Sequence, residues 1–108
     1  YSKLLTGLCK VPILLAENTS SWAQYTLKLK DRDSLQSKLK ENGIPSVVYY
    51  PIPLSRQLGY RQYPSVSSGV GKSEQLAETV LSLPMHPYLH KEQQNMIVDT
   101  IKSHLLKP

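Results

Sequence analysis

The chain has 108 residues, one domain's length, and a domain of that size buries roughly two-thirds of its unfolded surface. Its apolar fraction of 40% is ordinary for a globular protein, and no apolar run approaches the ~20 residues of a membrane span. The net charge of +5 is spread over Lys28, Lys30, Lys38, Lys40, Lys91, Lys102 and Lys107 rather than gathered in a block, which argues against a nucleic-acid surface.

Cys9, the single cysteine, cannot form an internal disulfide. It reads as a small apolar side chain in a cytoplasmic protein. The N-terminus, Tyr-Ser-Lys-Leu-Leu, has neither the basic nor the apolar region of a signal peptide, and the first residue is not Met. The expectation is a chain cut from something longer.

Leu4, Leu5 and Leu8 recur at helical spacing, so residues 1–8 read as the end of a helix, punctuated by Gly7 and Pro12. Residues 9–20 look irregular. From Trp22 to Lys30, Ala23, Tyr25, Leu27 and Leu29 alternate with Gln24, Thr26, Lys28 and Lys30. That period of two predicts a strand with one covered face, typical of an antiparallel sheet. Asp33 is the expected cap of the next helix, with Gln36 reaching back as in a capping box and Leu35 and Leu39 as its stripe. Gly43 supplies a left-handed stop and Ile44 the apolar contact that follows it.

Ser46–Tyr50 is rich in β-formers and reads as a second strand, stopped by Pro51-Ile52-Pro53. Residues 54–71 form a long loop, a length that is usually functional or mobile. Ser73 is expected to cap a short helix whose Leu76, Ala77, Val80 and Leu81 face the core. Leu83-Pro84-Met85-His86-Pro87 reads as a short edge strand. A last helix spans 91–106, with Ile97, Ile101 and Leu105 inward and Met96 beside them. The predicted core is Leu27, Leu29, Leu35, Leu39, Val47, Leu76, Val80, Ile97 and Ile101. The fold class is α+β: a small antiparallel or mixed sheet with helices packed on it, as a single domain over 1–108.

His86, His90 and His104 are too far apart for a metal site, and no nucleophile–base arrangement stands out. Gly69-Val70-Gly71-Lys72-Ser73 resembles the end of a phosphate loop but lacks the first glycine and the preceding strand. The informative block is Tyr49–Arg61: two tyrosines, a proline elbow, then Ser55, Arg56, Gln57 and Tyr60. Hydroxyls suit a sugar ring and a guanidinium suits a phosphate, and a rigid elbow lowers the cost of ordering them. Strand alternation would turn Tyr49 and Tyr50 to opposite faces, so that one of them meets a ligand.

Three stretches carry a resemblance. They are Ser20-Ser21-Trp22-Ala23-Gln24-Tyr25-Thr26-Leu27 with Asp31-Arg32-Asp33 and Asn42-Gly43-Ile44-Pro45; Val48-Tyr49-Tyr50-Pro51-Ile52-Pro53-Leu54; and Ala77-Glu78 with Leu81-Ser82-Leu83-Pro84-Met85-His86-Pro87-Tyr88-Leu89. In this order and spacing they resemble the C-terminal domain of the DegT/DnrJ/EryC1/StrS sugar aminotransferases.

The resemblance implies the small domain of a fold type I, pyridoxal-phosphate-dependent enzyme. Such an enzyme moves an amino group, commonly from glutamate, onto a nucleotide-linked keto-sugar. It works as a homodimer, and its products feed cell-surface polysaccharide or antibiotic sugar synthesis. The implied substrate-binding residues are Tyr49, Tyr50, Ser55, Arg56 and Gln57. The cofactor lysine belongs to a large N-terminal domain absent from this chain. No catalytic, cofactor-binding or metal-ligating residue is therefore expected here, and the chain alone is expected to be inactive. The sequence departs from the family at Ser55, where a His is usual, and at His90, where Thr or Ser opens the helix. The competing readings are a stand-alone α+β binding or regulatory module and, from charge alone, a nucleic-acid-binding domain. Neither nucleic acid nor a membrane is an expected partner.

Overall fold

The computed structural model describes residues 1–106; Lys107 and the final residue of the expected 1–108 domain lie outside them. In chain order the elements are α1 (Ser2–Leu5), β1 (Tyr25–Lys28), α2 (Arg32–Glu41), α3 (Gly71–Thr79), β2 (Val80–Leu83) and α4 (Lys91–Leu105), with a 3₁₀ turn at Leu54–Arg56. The fold is α+β. β1 and β2 are antiparallel, with Tyr25 opposite Leu83 and Leu27 opposite Leu81. Those four side chains share one face by strand alternation. On that face they join Leu5, Leu35, Leu39, Ile97, Val98 and Ile101 from α1, α2 and α4 in one buried cluster. Thr26 and Ser82 pair on the opposite face through their hydroxyls, 2.8 Å apart.

The first strand is shorter than its pattern. Trp22 takes φ 49°, which bends the chain just before β1 and leaves Ala23 exposed. Tyr25 anchors this end of the sheet. Its ring meets Tyr1 at 5.0 Å and Trp22 at 5.7 Å, and its hydroxyl is 2.7 Å from Ser2 Oγ. The Tyr1 hydroxyl donates to the Pro84 carbonyl at 3.0 Å, tying α1 to the end of β2.

α2 begins at Arg32 with Asp31 as its cap residue, and the expected capping box does not form. Asp33 accepts instead from Arg32 Nε, and Gln36 Nε2 donates to the Ser46 carbonyl at 3.3 Å. The other end follows the sequence closely. Gly43 takes φ 70°, its N–H bonds to Lys40 O and the Ile44 N–H to Leu39 O, a Schellman stop closed by buried Ile44. At α4, Gln93 Oε1 accepts the His90 backbone N–H at 3.1 Å.

Ser46–Tyr50 is not a strand. Only Val47 pairs, exchanging both backbone bonds with Ser82 at 3.1 and 2.7 Å. Continuing that register places Pro45 opposite Pro84, where neither residue has an N–H to give. In the other direction it places Tyr49 opposite Val80, whose N–H already bonds to Leu76 O and whose carbonyl accepts from Arg32. Val47 is consequently 42% exposed rather than core.

The third helix starts two residues before Ser73, with Val70 as cap. It ends at Thr79, so Val80 and Leu81 belong to β2, and the strand precedes Pro84 rather than spanning 83–87. Ala77 is the one buried residue of α3, while Leu76 is 43% exposed. Leu29 and Val80 are half-buried, and Met96 is exposed beside the α4 stripe. No helix among the described residues is long and apolar enough to cross a membrane.

Candidate functional site

The proline elbow and α3 face each other across a cavity of about 610 Å³. Tyr49, Tyr50, Pro53, Leu54, Ser55 and Gln57 form one wall; Ser73, Leu76, Ala77 and Val80 form the other. The volume is that of a site for a small organic molecule. Four of the five sequence-predicted site residues therefore lie on one cavity.

Both tyrosines line it, which corrects the expectation that they point to opposite faces. Strand alternation does not apply because the chain leaves the ladder after Val47. The two rings meet edge to face at 5.6 Å. Gln57 Nε2 donates to the Ile52 carbonyl at 3.1 Å, which braces the elbow across its own turn and leaves Oε1 free to accept. Ser55 Oγ is buried without a hydrogen-bond partner. A buried hydroxyl left unpaired is costly, and Ser55 is also one of the cavity-lining residues.

Arg56, expected to meet a phosphate, is not among the residues lining the cavity. Its Nε donates to Glu74 Oε1 at 2.9 Å, which joins the elbow turn to the first turn of α3. The bond to Glu74 and its charge, with a smaller contribution from Glu78, hold the guanidinium pKa above its ordinary value. Tyr60 packs near Tyr63 at 6.4 Å, away from the cavity lining.

Two features of the site escaped the sequence reading. Leu76 has the helical spacing of a core residue, yet it forms part of the cavity wall. Arg32 stands in the sequence only as part of the family pattern, yet its guanidinium holds carbonyls at the junction of α3 and β2. Its position one residue ahead of Asp33 carries no signal of burial.

The lining residues include no lysine and no carboxylate. The cavity thus offers neither an amine for an imine bond nor an acid for a pyridine nitrogen, and these residues by themselves do not fit pyridoxal phosphate. Among the described residues, no group of three or more His, Cys, Asp or Glu is placed to hold a metal ion. Cys9 is half-buried against the core cluster, and burial raises its thiol pKa.

The description of the DegT/DnrJ/EryC1/StrS aminotransferase family matches residues 1–102. The chain belongs to this family. Family members depend on pyridoxal phosphate. The chain is 42% identical over 81 residues to the UDP-2-acetamido-2-deoxy-3-oxo-D-glucuronate aminotransferase of Pseudomonas aeruginosa, covering 72% of this chain and 21% of that protein. It is 37% identical over 103 residues to the UDP-N-acetyl-3-dehydro-alpha-D-glucosamine 3-aminotransferase of Acidithiobacillus ferrooxidans, covering 94% of this chain and 27% of that one. The crystal structure of a DegT DnrJ EryC1 StrS aminotransferase from Brucella abortus superposes with a TM-score of 0.94 at 42% identity, over 98% of this chain and 28% of that one. The chain thus spans between a fifth and a third of the length of these family members.

Proposed function

We propose that the chain is the C-terminal, substrate-side domain of a pyridoxal-phosphate-dependent enzyme that transfers an amino group from glutamate to a nucleotide-linked keto-sugar. Family membership supports the aminotransferase class, and the names of the two curated relatives support the nucleotide-sugar substrate. The observation that carries the site is the cavity at the elbow with an unpaired hydroxyl, Ser55 Oγ, buried beside it.

In this reading Ser55 exchanges a hydrogen bond with a sugar hydroxyl or its water, in the place where other family members carry a His. One tyrosine hydroxyl and Gln57 Oε1 supply further polar contacts, and the aromatic faces cover the sugar ring. Arg56 anchors the elbow through its Nε bond to Glu74, and its two terminal amino groups stay available to a phosphate oxygen. The cofactor and its lysine belong to a large domain, and the chain alone is inactive because it brings neither. That large domain, the second subunit of a cytoplasmic homodimer, and a role in polysaccharide or related sugar synthesis complete the proposal.

Steady-state kinetics of the full-length enzyme test it. Ser55→Ala, Gln57→Ala, Arg56→Ala and one of the pair Tyr49→Phe and Tyr50→Phe are expected to raise KM for the sugar nucleotide, with the glutamate half-reaction less affected. Wild-type KM and turnover in all five variants would show the elbow to be structural.

A further inference from the structure

Arg32 is 7% exposed, and a buried guanidinium needs acceptors for its donors. Its Nη1 reaches the carbonyls of Ala77 at 3.1 Å and Val80 at 3.0 Å, and its Nε donates to Asp33. The Asp33 side chain is 83% exposed, so the carboxylate neutralises this charge from the solvent side only. The two carbonyls belong to residues that line the cavity, although Arg32 itself is not among the lining residues.

The Val80 carbonyl is the more informative partner. Val47 exchanges two backbone bonds with Ser82, and the next such pair toward the cavity is Tyr49 with Val80. In that pair the Tyr49 N–H would donate to Val80 O and the Val80 N–H to Tyr49 O. The Val80 N–H is committed to Leu76 O as α3 ends. Arg32 Nη1 already donates to the carbonyl. Tyr49 has no backbone partner at that position, and the chain turns out of the sheet into the cavity wall.

We propose that Arg32 is a positioning residue for the cavity: by holding the Val80 and Ala77 carbonyls it keeps Tyr49 off the sheet and fixes the α3–β2 junction against α2. A strand that is complete in its residue preferences is thereby cut to a single pair. The residues released form the aromatic wall. The consequence for substrate rests on the cavity being the sugar-nucleotide pocket; the positioning itself does not.

Amide hydrogen exchange on this chain separates the two. Arg32→Met keeps the apolar stem and frees the Val80 carbonyl. The expected result is exchange at the Tyr49 amide slowed by about tenfold or more, with the Leu27 and Leu81 amides unchanged. Fast Tyr49 exchange in a folded Arg32→Met protein overturns the proposal. If that variant does not fold, Arg32→Lys decides, because it retains a donor on a long stem. It is expected to fold with wild-type exchange at Tyr49, and an unfolded or Tyr49-protected lysine variant overturns the proposal equally. In the full-length enzyme, Arg32→Met is expected to raise KM for the sugar nucleotide about tenfold with the glutamate half-reaction intact. Slowed Tyr49 exchange with a normal KM would leave the positioning role standing and refute the pocket.

Discussion

Leu39→Ala and Leu76→Ala are the same chemical change on two helices, and the structure assigns them different outcomes. Leu39 is fully buried on the inner face of α2, which packs on α4. Removing its isopropyl group, three carbons, forfeits about 2.5 kcal/mol of transfer free energy at ~0.8 kcal/mol per buried carbon group. An unfilled void adds to this, for a total of about 3–4 kcal/mol. Leu76 is 43% exposed on an open cavity wall, so about half of the transfer free energy is at stake and no closed void forms. Its expected cost is about 1 kcal/mol. Both variants place Ala in a helix, so the propensity gain cancels between them. In thermal melts of a domain this size, Leu39→Ala is expected to lose roughly 12–20 °C and Leu76→Ala no more than about 5 °C. Urea titrations with unchanged slope would show that the native state, not the denatured ensemble, was altered. Equal losses for the two variants, or a larger one for Leu76→Ala, would refute the assignment of α3 to the cavity rather than to the core.

Gly43→Ala is expected to destabilise by about 1–2 kcal/mol from backbone strain alone, because φ is +70° and an added Cβ would meet nothing within 4 Å. A urea midpoint equal to wild type would contradict the Schellman stop. The Tyr1 phenol is pushed from its ordinary 10.0 up to about 12, first by burial and then by Tyr25. The folded state therefore holds this proton more tightly than the unfolded chain. That contribution to stability is fully present below pH 10 and is lost as the pH rises through about 12. Burial raises the Tyr25 phenol as well, so ultraviolet difference titration should show late-ionising phenols of which one is lost in Tyr1→Phe, and a full set of ordinary phenol titrations would contradict the packing of Tyr1 on Tyr25.

Local signals were legible where a residue's own chemistry decides its conformation. Gly43 ends α2 because only glycine takes that φ freely, and Tyr25, Leu27, Leu35, Leu39, Ile97 and Ile101 are buried as their periodicity predicts. The failures lie where a partner that no local pattern encodes decides. Asp33 does not cap α2 because Arg32 claims its carboxylate. Ser46–Tyr50 has strand preferences and forms no strand because Pro84 lacks an N–H and Val80 is already bonded on both sides. Leu76 has core spacing but stands on a helix that buries one residue. The cavity residues were found through the proline elbow and the family pattern. Arg56 bonds to Glu74, eighteen positions away, a partner that a local pattern does not reveal.

The two one-residue pairings beside the ribbon bear on solubility. A two-stranded sheet has two free edges, and an open edge is a template for another chain's strand. Here Lys10 bonds across to Lys28 on the outside of β1, and Val47 bonds to Ser82 on the outside of β2. Each cover is a single residue, yet each takes one outward-facing N–H and C=O in the middle or at the end of a four-residue strand. Pro84 denies a donor just past one end, and the lysine pair places two like charges along the other edge. A neighbouring molecule that tried to add a strand would find the ladder interrupted within one repeat on either side. The sheet is guarded against edge-to-edge aggregation by fragments too short to count as strands themselves.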